Sequence, residues 1–173
     1  VNGSTIDRNN LVTGTEIGIE EFGHYAGRAQ IQLINNVISD CEIGIQMGPR
    51  GNGLAEMNVV RNCSIAVDQE ATSTDPPAGI AYDSFFGNTQ NFSSNVLLPG
   101  LETLIATNAN GDSTDLWLNV YDDPIINAPN TWYPISSSPL INAGNPNAPL
   151  DPDGSVADIG LRTIYVNCIN LPE

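Results

Sequence analysis

Over roughly the first ninety residues, apolar and polar positions recur in one order. An apolar pair is followed by a turn residue, and then by two apolar positions with one residue between them. The stretch Asn9-Asn10-Leu11-Val12-Thr13-Gly14-Thr15-Glu16-Ile17-Gly18-Ile19 returns 26 residues later as Asn35-Asn36-Val37-Ile38-Ser39-Asp40-Cys41-Glu42-Ile43-Gly44-Ile45. It returns 22 residues further on as Met57-Asn58-Val59-Val60-Arg61-Asn62-Cys63-Ser64-Ile65-Ala66-Val67. A fourth copy, Ser84-Phe85-Phe86-Gly87-Asn88-Thr89-Gln90-Asn91, keeps the first half of the pattern and loses the second. Each copy reads as a short strand, a bend and a second short strand.

Strands this short cannot bury a face alone, so successive copies have to stack to make a core. The period predicts an all-β fold, a right-handed parallel β-helix of about four rungs over residues 1–92. Residues 93–173 should form a loop-rich C-terminal cap on the same domain. Stacking places equivalent residues in ladders about 4.8 Å apart: Asn10-Asn36-Asn58-Ser84, Gly14-Asp40-Asn62-Asn88 and Thr15-Cys41-Cys63-Thr89. The Asn column reads as structural, because side-chain amides can donate and accept along a stack. The competing reading is a β-sandwich, which also shows short alternating strands with regular turns.

Composition narrows the partners. The chain has 173 residues, 40% hydrophobic but only 6% aromatic, which suits one domain with an aliphatic core. Its formal charge is −15, with five arginines and no lysine. Nucleic acid and anionic membrane surfaces are thereby disfavoured, since binding them needs a basic patch. No run of about 18 apolar residues is available to span a bilayer. Val1 follows no initiating Met or leader, so a segment of a longer chain is expected. Cys41, Cys63 and Cys168 are too few for a disulfide framework and lack zinc spacing. Cys41 and Cys63 are expected in one inward column, where a bond is allowed but not required. The richness in Asn, Gly, Ser, Thr and Pro points to a secreted or cell-surface protein.

In the C-terminal half, Tyr82-Asp83-Ser84-Phe85-Phe86-Gly87-Asn88-Thr89 and Asp123-Pro124 are followed by Ser138-Pro139-Leu140-Ile141-Asn142-Ala143-Gly144-Asn145-Pro146, then Asp151-Pro152-Asp153-Gly154 and Asp158-Ile159-Gly160. In this order the motifs resemble the closing region of bacterial surface proteins of the right-handed parallel β-helix repeat, choice-of-anchor Q type. The resemblance covers about residues 80–161 and implies the fold and a surface or secreted location, but no particular reaction. Asn142 stands where such proteins usually carry Asp, and Leu161-Arg162 replaces their Ala-Tyr ending.

Asp151, Asp153 and Asp158, around Gly154, resemble the first half of a calcium loop, and hard oxygen ligands in an acidic chain suit Ca²⁺. The plainer alternative is an Asp-Gly turn whose carboxylates cap main-chain amides. Catalysis has thin support. His24, with Tyr25, Arg28, Glu20 and Glu21 nearby, is the best constellation, and His24 and Arg28 are the candidates, though a single His in a Gly-flanked loop is more often solvated. Asp40 and Asp68 read as turn residues, and Trp117, Trp132 and Tyr133 as cap packing rather than sugar platforms. The leading expectation is therefore a structural or adhesive β-helix module, continued by upstream sequence or by a neighbouring subunit at its N-terminal end. The alternatives are a lyase or hydrolase acting on acidic polysaccharide, and a non-catalytic carbohydrate-binding module.

Overall fold

A computed structural model of the chain describes residues 4–21, 30–48, 53–69, 79–94 and 98–162. Each of four rungs carries three short strands. Rung one has β1 (Ser4–Arg8), β2 (Leu11–Thr13) and β3 (Ile17–Glu21), and rung two has β4 (Gln30–Ile34), β5 (Val37–Ser39) and β6 (Ile43–Met47). Rung three has β7 (Leu54–Glu56), β8 (Val59–Arg61) and β9 (Ile65–Gln69), and rung four has β10 (Gly79–Ala81), β11 (Ser84–Phe86) and β12 (Gln90–Ser94). Equivalent strands pair in parallel, giving three four-stranded sheets: β1-β4-β7-β10, β2-β5-β8-β11 and β3-β6-β9-β12. A small antiparallel pair, β13 (Ala106–Thr107) and β14 (Ser113–Thr114), lies beyond them, and no helix occurs among the described residues. The chain is an all-β parallel β-helix.

The corners follow from residues that tolerate left-handed backbone. Between the first and second sheets the corner residues are Asn9, Asn35, Met57 and Tyr82, with φ of 56°, 55°, 59° and 56°. Between the second and third they are Gly14, Asp40, Asn62 and Gly87, with φ of 69°, 59°, 54° and 69°. Gly, Asn and Asp enter this region at little cost, so the turn residues legible in the repeat are the ones the bend needs. Met57 and Tyr82 at these corners are bonded to the C-terminal segment, the Gly160 N–H donating to the Met57 carbonyl at 2.8 Å and the Tyr82 N–H to the Trp117 carbonyl at 3.1 Å.

The fourth copy sits one residue from where sequence alignment puts it. Val59 pairs with Ser84 and Val60 with Phe85, so Asp83 rather than Ser84 takes the fourth place in the Asn column. The bend column ends on Gly87 instead of Asn88, and the Thr15-Cys41-Cys63 column on Asn88 instead of Thr89. The inward side chain sets this register: Phe85 has to fall beneath Val60 to fill the core. The second half of the fourth copy also survives, because Phe92 takes the inward position of Val67 while its neighbours turn polar.

Inside the coil, Leu33, Ile38, Ile45, Val60, Val67 and Phe85 form one contiguous core with Cys41 and Cys63. Both cysteines are free and buried, filling the space of small hydrophobes. Phe85 and Phe92 meet edge to face at 4.9 Å and close the core at rung four. The third strands do not place their two apolar positions equivalently. Ile45 and Val67 are fully inside, whereas Ile43 and Ile65 are half-buried. Gly44 lies between them so close to the next rung that a Cβ would stand 2.5 Å from Val60 Cγ1 and 2.6 Å from the Ala66 carbonyl oxygen.

A second core covers the outside of the middle sheet. Val37 and Val59 point outward from β5 and β8 and pack with Val120, Leu140, Ala143 and Ile159. These belong to a segment that begins as a partial fifth rung. Val120 bridges Ser84 in parallel, its N–H donates to the Asp83 carbonyl at 2.8 Å, and the Phe85 N–H donates to the Val120 carbonyl at 2.9 Å. The chain then returns along the coil as a strap. The Gly160 N–H reaches the Met57 carbonyl at 2.8 Å, and Asn35 Nδ2 donates to the carbonyls of Asp158 and Gly160 at 3.1 and 2.9 Å.

The two ends differ. At rung four Phe85 is 2% and Phe92 5% exposed, covered by Leu98, Leu101 and Tyr121. At rung one the inward Val12 and Ile19 are only half-buried, and each strand is paired on one side only among the described residues.

Candidate functional site

The three predicted calcium ligands lie together at the end of the strap, around a cavity of about 350 Å³ that Tyr133, Asn142, Asp151, Asp153, Asp158 and Arg162 help to line. A tight turn positions them: the Gly154 N–H donates to the Asp151 carbonyl at 2.8 Å, with Gly154 at φ 87°, and the Asp151 N–H donates to the Ser155 carbonyl at 2.9 Å. Each carboxylate already has a task within the fold. Asp151 Oδ1 pairs with Arg162 Nε at 2.7 Å, and its Oδ2 accepts the Asp158 N–H at 2.9 Å. Asp153 Oδ1 accepts both the N–H and the hydroxyl of Ser155, at 3.0 and 2.6 Å. Asp158 Oδ1 accepts the Asn142 N–H at 2.7 Å.

These contacts separate the titrations. Hydrogen bonds from Ser155 hold the exposed Asp153 carboxyl below its ordinary range. Burial pushes Asp158 up, against the opposing hydrogen bond from Asn142. Among the described residues, no group of three or more His, Cys, Asp or Glu side chains is placed so as to hold a metal ion. What the geometry performs is the capping of main-chain amides, with Asp153 Oδ2 and Asp158 Oδ2 left over. Asn142, at φ 56°, keeps a buried Oδ1 without a hydrogen-bond partner among the described residues.

A second concavity, about 610 Å³, lies where the strap passes the first corner of the coil, between Arg8, Asn35, Glu56, Asn145, Asn147 and Arg162. Asn145 Nδ2 donates to Glu56 Oε1 at 2.6 Å and fixes its wall. Arg162 faces both cavities, and its Nη2 donates to the carbonyls of Pro149 and Leu150 at 3.0 and 2.6 Å.

The catalytic candidates His24 and Arg28, with Tyr25, lie outside the described residues. Of their acidic neighbours, Glu20 is exposed, and burial pushes the Glu21 carboxyl up. Asp40 is the turn residue expected: it accepts the Ser39 hydroxyl at 2.6 Å and Asn62 Nδ2 at 3.3 Å. Asp68 is a strand residue of β9, paired with Gln46 and Ser93, rather than a turn residue. Trp132 packs on the outer core, and Trp117 is tied by its ring N–H to the Pro99 carbonyl at 2.9 Å. Tyr133 remains exposed at the mouth of the first cavity.

Sequence reasoning missed Asp83. It is 0% exposed in the ladder of amides and unlike its neighbours there. Its place follows from Phe85 packing beneath Val60, for which the repeat pattern carries no signal.

The chain matches no family model, and neither the curated proteins nor the solved structures contain a match to it.

Proposed function

We propose that this chain is the terminating module of an extracellular, non-catalytic β-helix of the choice-of-anchor Q kind, closed at rung four and built to continue at rung one. The carrying observation is the unequal exposure of the two ends. The inward apolar residues of rung one, Val12 and Ile19, in register with the fully buried Ile38 and Ile45, are only half-buried, whereas the inward Phe85 and Phe92 of rung four are 2% and 5% exposed. Strand edges left unpaired among the described residues, beside half-buried inward Val12 and Ile19, favour addition of another strand layer.

The ladder specifies what that layer carries. Asn36 Oδ1 accepts both the main-chain N–H and the side-chain amide of Asn10, each at 3.0 Å. Asn10 Oδ1 offers the same pair of acceptor positions to a preceding coil with an Asn at the equivalent place. A further parallel coil of the same β-helix fits this better than a second copy, because the copy's opposite end is covered by its own cap. The resemblance in residues 80–161 and the acidic, lysine-free composition support a surface location.

The test compares the segment alone with a version extended by upstream coils, using size-exclusion chromatography with light scattering and amide exchange. The extension should give a monodisperse monomer and slow exchange in residues 5–19, while the segment alone associates or exchanges rapidly there. A non-associating segment with slow exchange in those residues refutes the reading. Equally sharp protection from self-association alone would transfer it to a dimer.

A further inference from the structure

The amide ladder follows one rule with one exception. Each ladder residue offers Oδ1 to the residue before it, and its Nδ2 also donates back across to a main-chain carbonyl of the first sheet. Asn36 Nδ2 donates to the Asp7 carbonyl at 3.0 Å, Asn58 Nδ2 to Leu33 at 2.8 Å, and Asn119 Nδ2 to Ile80 at 3.4 Å. Asp7, Leu33, Ala55 and Ile80 are stacked in register, so these carbonyls form a column of their own. Ala55 is the member that receives no ladder amide. The ladder position that would serve it is held by Asp83. Asp83 Oδ1 behaves as the others do, accepting the Asn58 N–H at 2.7 Å and Asn58 Nδ2 at 2.9 Å. Its Oδ2 sits where an amide would donate, buried and without a partner among the described residues.

We propose that Asp83 is built into the fold as a neutral carboxylic acid, whose Oδ2–H donates to the Ala55 carbonyl in place of the missing amide, making the junction of rungs three and four a proton-held clasp. An ionised Oδ2 would instead turn a negative charge on a carbonyl oxygen with no water to screen it.

The surroundings agree. The charged groups whose fields reach Asp83 are Glu56 on β7 and Asp115 on the partial fifth rung, and both are acidic. Asp115 has acceptor work of its own, taking the Tyr121 hydroxyl at 2.6 Å and Asn119 Nδ2 at 3.1 Å. Burial chiefly, with those two carboxylates adding to it, pushes the Asp83 carboxyl up to about 8. The native state therefore keeps a proton that the unfolded chain releases near pH 4, at about 3.9. The contribution to stability is complete below that range and is lost as pH rises through about 8. Asn119 Oδ1 accepts the Asp83 N–H at 2.9 Å, so the loss falls on the rung that carries the cap.

The test has two arms on the whole chain. The first follows the Asp83 side-chain carbon by NMR from pH 4 to pH 9. The shift should stay that of a carboxylic acid past pH 6. The second compares melting temperatures of the native chain and D83N. The variant should be several degrees more stable at pH 8, match the native chain near pH 4, and lose most of the decline between. A carboxylate shift at pH 6, or a D83N chain that is no more stable at pH 8 or fails to fold, overturns the proposal, since an amide would then not be the group this position imitates.

Discussion

The main-chain N–H of Arg162 donates to the side-chain oxygen of Asn9 at 3.1 Å, joining residues 153 positions apart. That bond marks how far the strap travels: it leaves rung four at Val120 and finishes at the first corner of rung one. Every rung is thereby tied to one external segment as well as to its neighbours.

If the strap stabilises the coil, truncating its anchor should cost as much as a core deletion. Leu140 is fully buried against Val37 and Val59. Leu140→Ala should lower stability by about 2–5 kcal/mol. Denaturant unfolding checks this, and a loss below about 1 kcal/mol would show that the strap rides on a coil that needs no cover.

Ladder substitutions should be graded by burial. Asn58 is fully buried and donates to both the Leu33 carbonyl and Asp83 Oδ1. Asn58→Ala strands those acceptors and should cost about 2–4 kcal/mol. At the exposed Asn10, water replaces what is lost, and Asn10→Ala should cost less than about 1 kcal/mol in the isolated segment. Equal losses at both positions would argue against a burial-dependent ladder.

Two glycines of the repeat should respond unequally. Gly44→Ala drives a Cβ into the Val60 side chain and the Ala66 carbonyl, so thermal melting should register a loss of about 2 kcal/mol or more. Gly14 has φ 69°, and no atom lies within 4 Å of the place a Cβ would take there. Gly14→Asn copies the corner residue of rung three and should change stability by less than about 0.5 kcal/mol.

The strap carboxylates should act as turn caps whether or not calcium is present. Asp158→Ala frees a half-buried Asn142 amide and should cost about 1–2 kcal/mol. A chelator should leave the native melting temperature unchanged. A drop on chelation that Asp153→Ala abolishes would establish a calcium loop in place of the turn.

Much of this molecule is written in its periodicity. The inward column Ile38-Val60-Phe85, the corners at Gly14, Asp40 and Asn62, and the amides of Asn10, Asn36 and Asn58 were legible because stacking gives each copy the same environment. A repeated environment selects a repeated residue type, and a single chain displays that as a pattern. The pattern could not announce the one-residue offset that puts Asp83 in the ladder, because the volume of Phe85 beneath Val60 decides it. Nor could it announce the strap. The contacts of Leu140 with Val59, of Asn35 with Gly160 and of Arg162 with Asn9 join unlike segments across long stretches of chain, and each occurs once. The same holds for the Asp151, Asp153 and Asp158 carboxylates. Their spacing is equally suited to a cation and to a turn, and only the folded positions of the Ser155, Asn142 and Arg162 donors determine which oxygens are taken. The sequence by itself determined the coil, through interactions that recur from rung to rung. The tertiary structure decided the cap, the register of the last rung and the burial of Asp83, through contacts made a single time between distant residues.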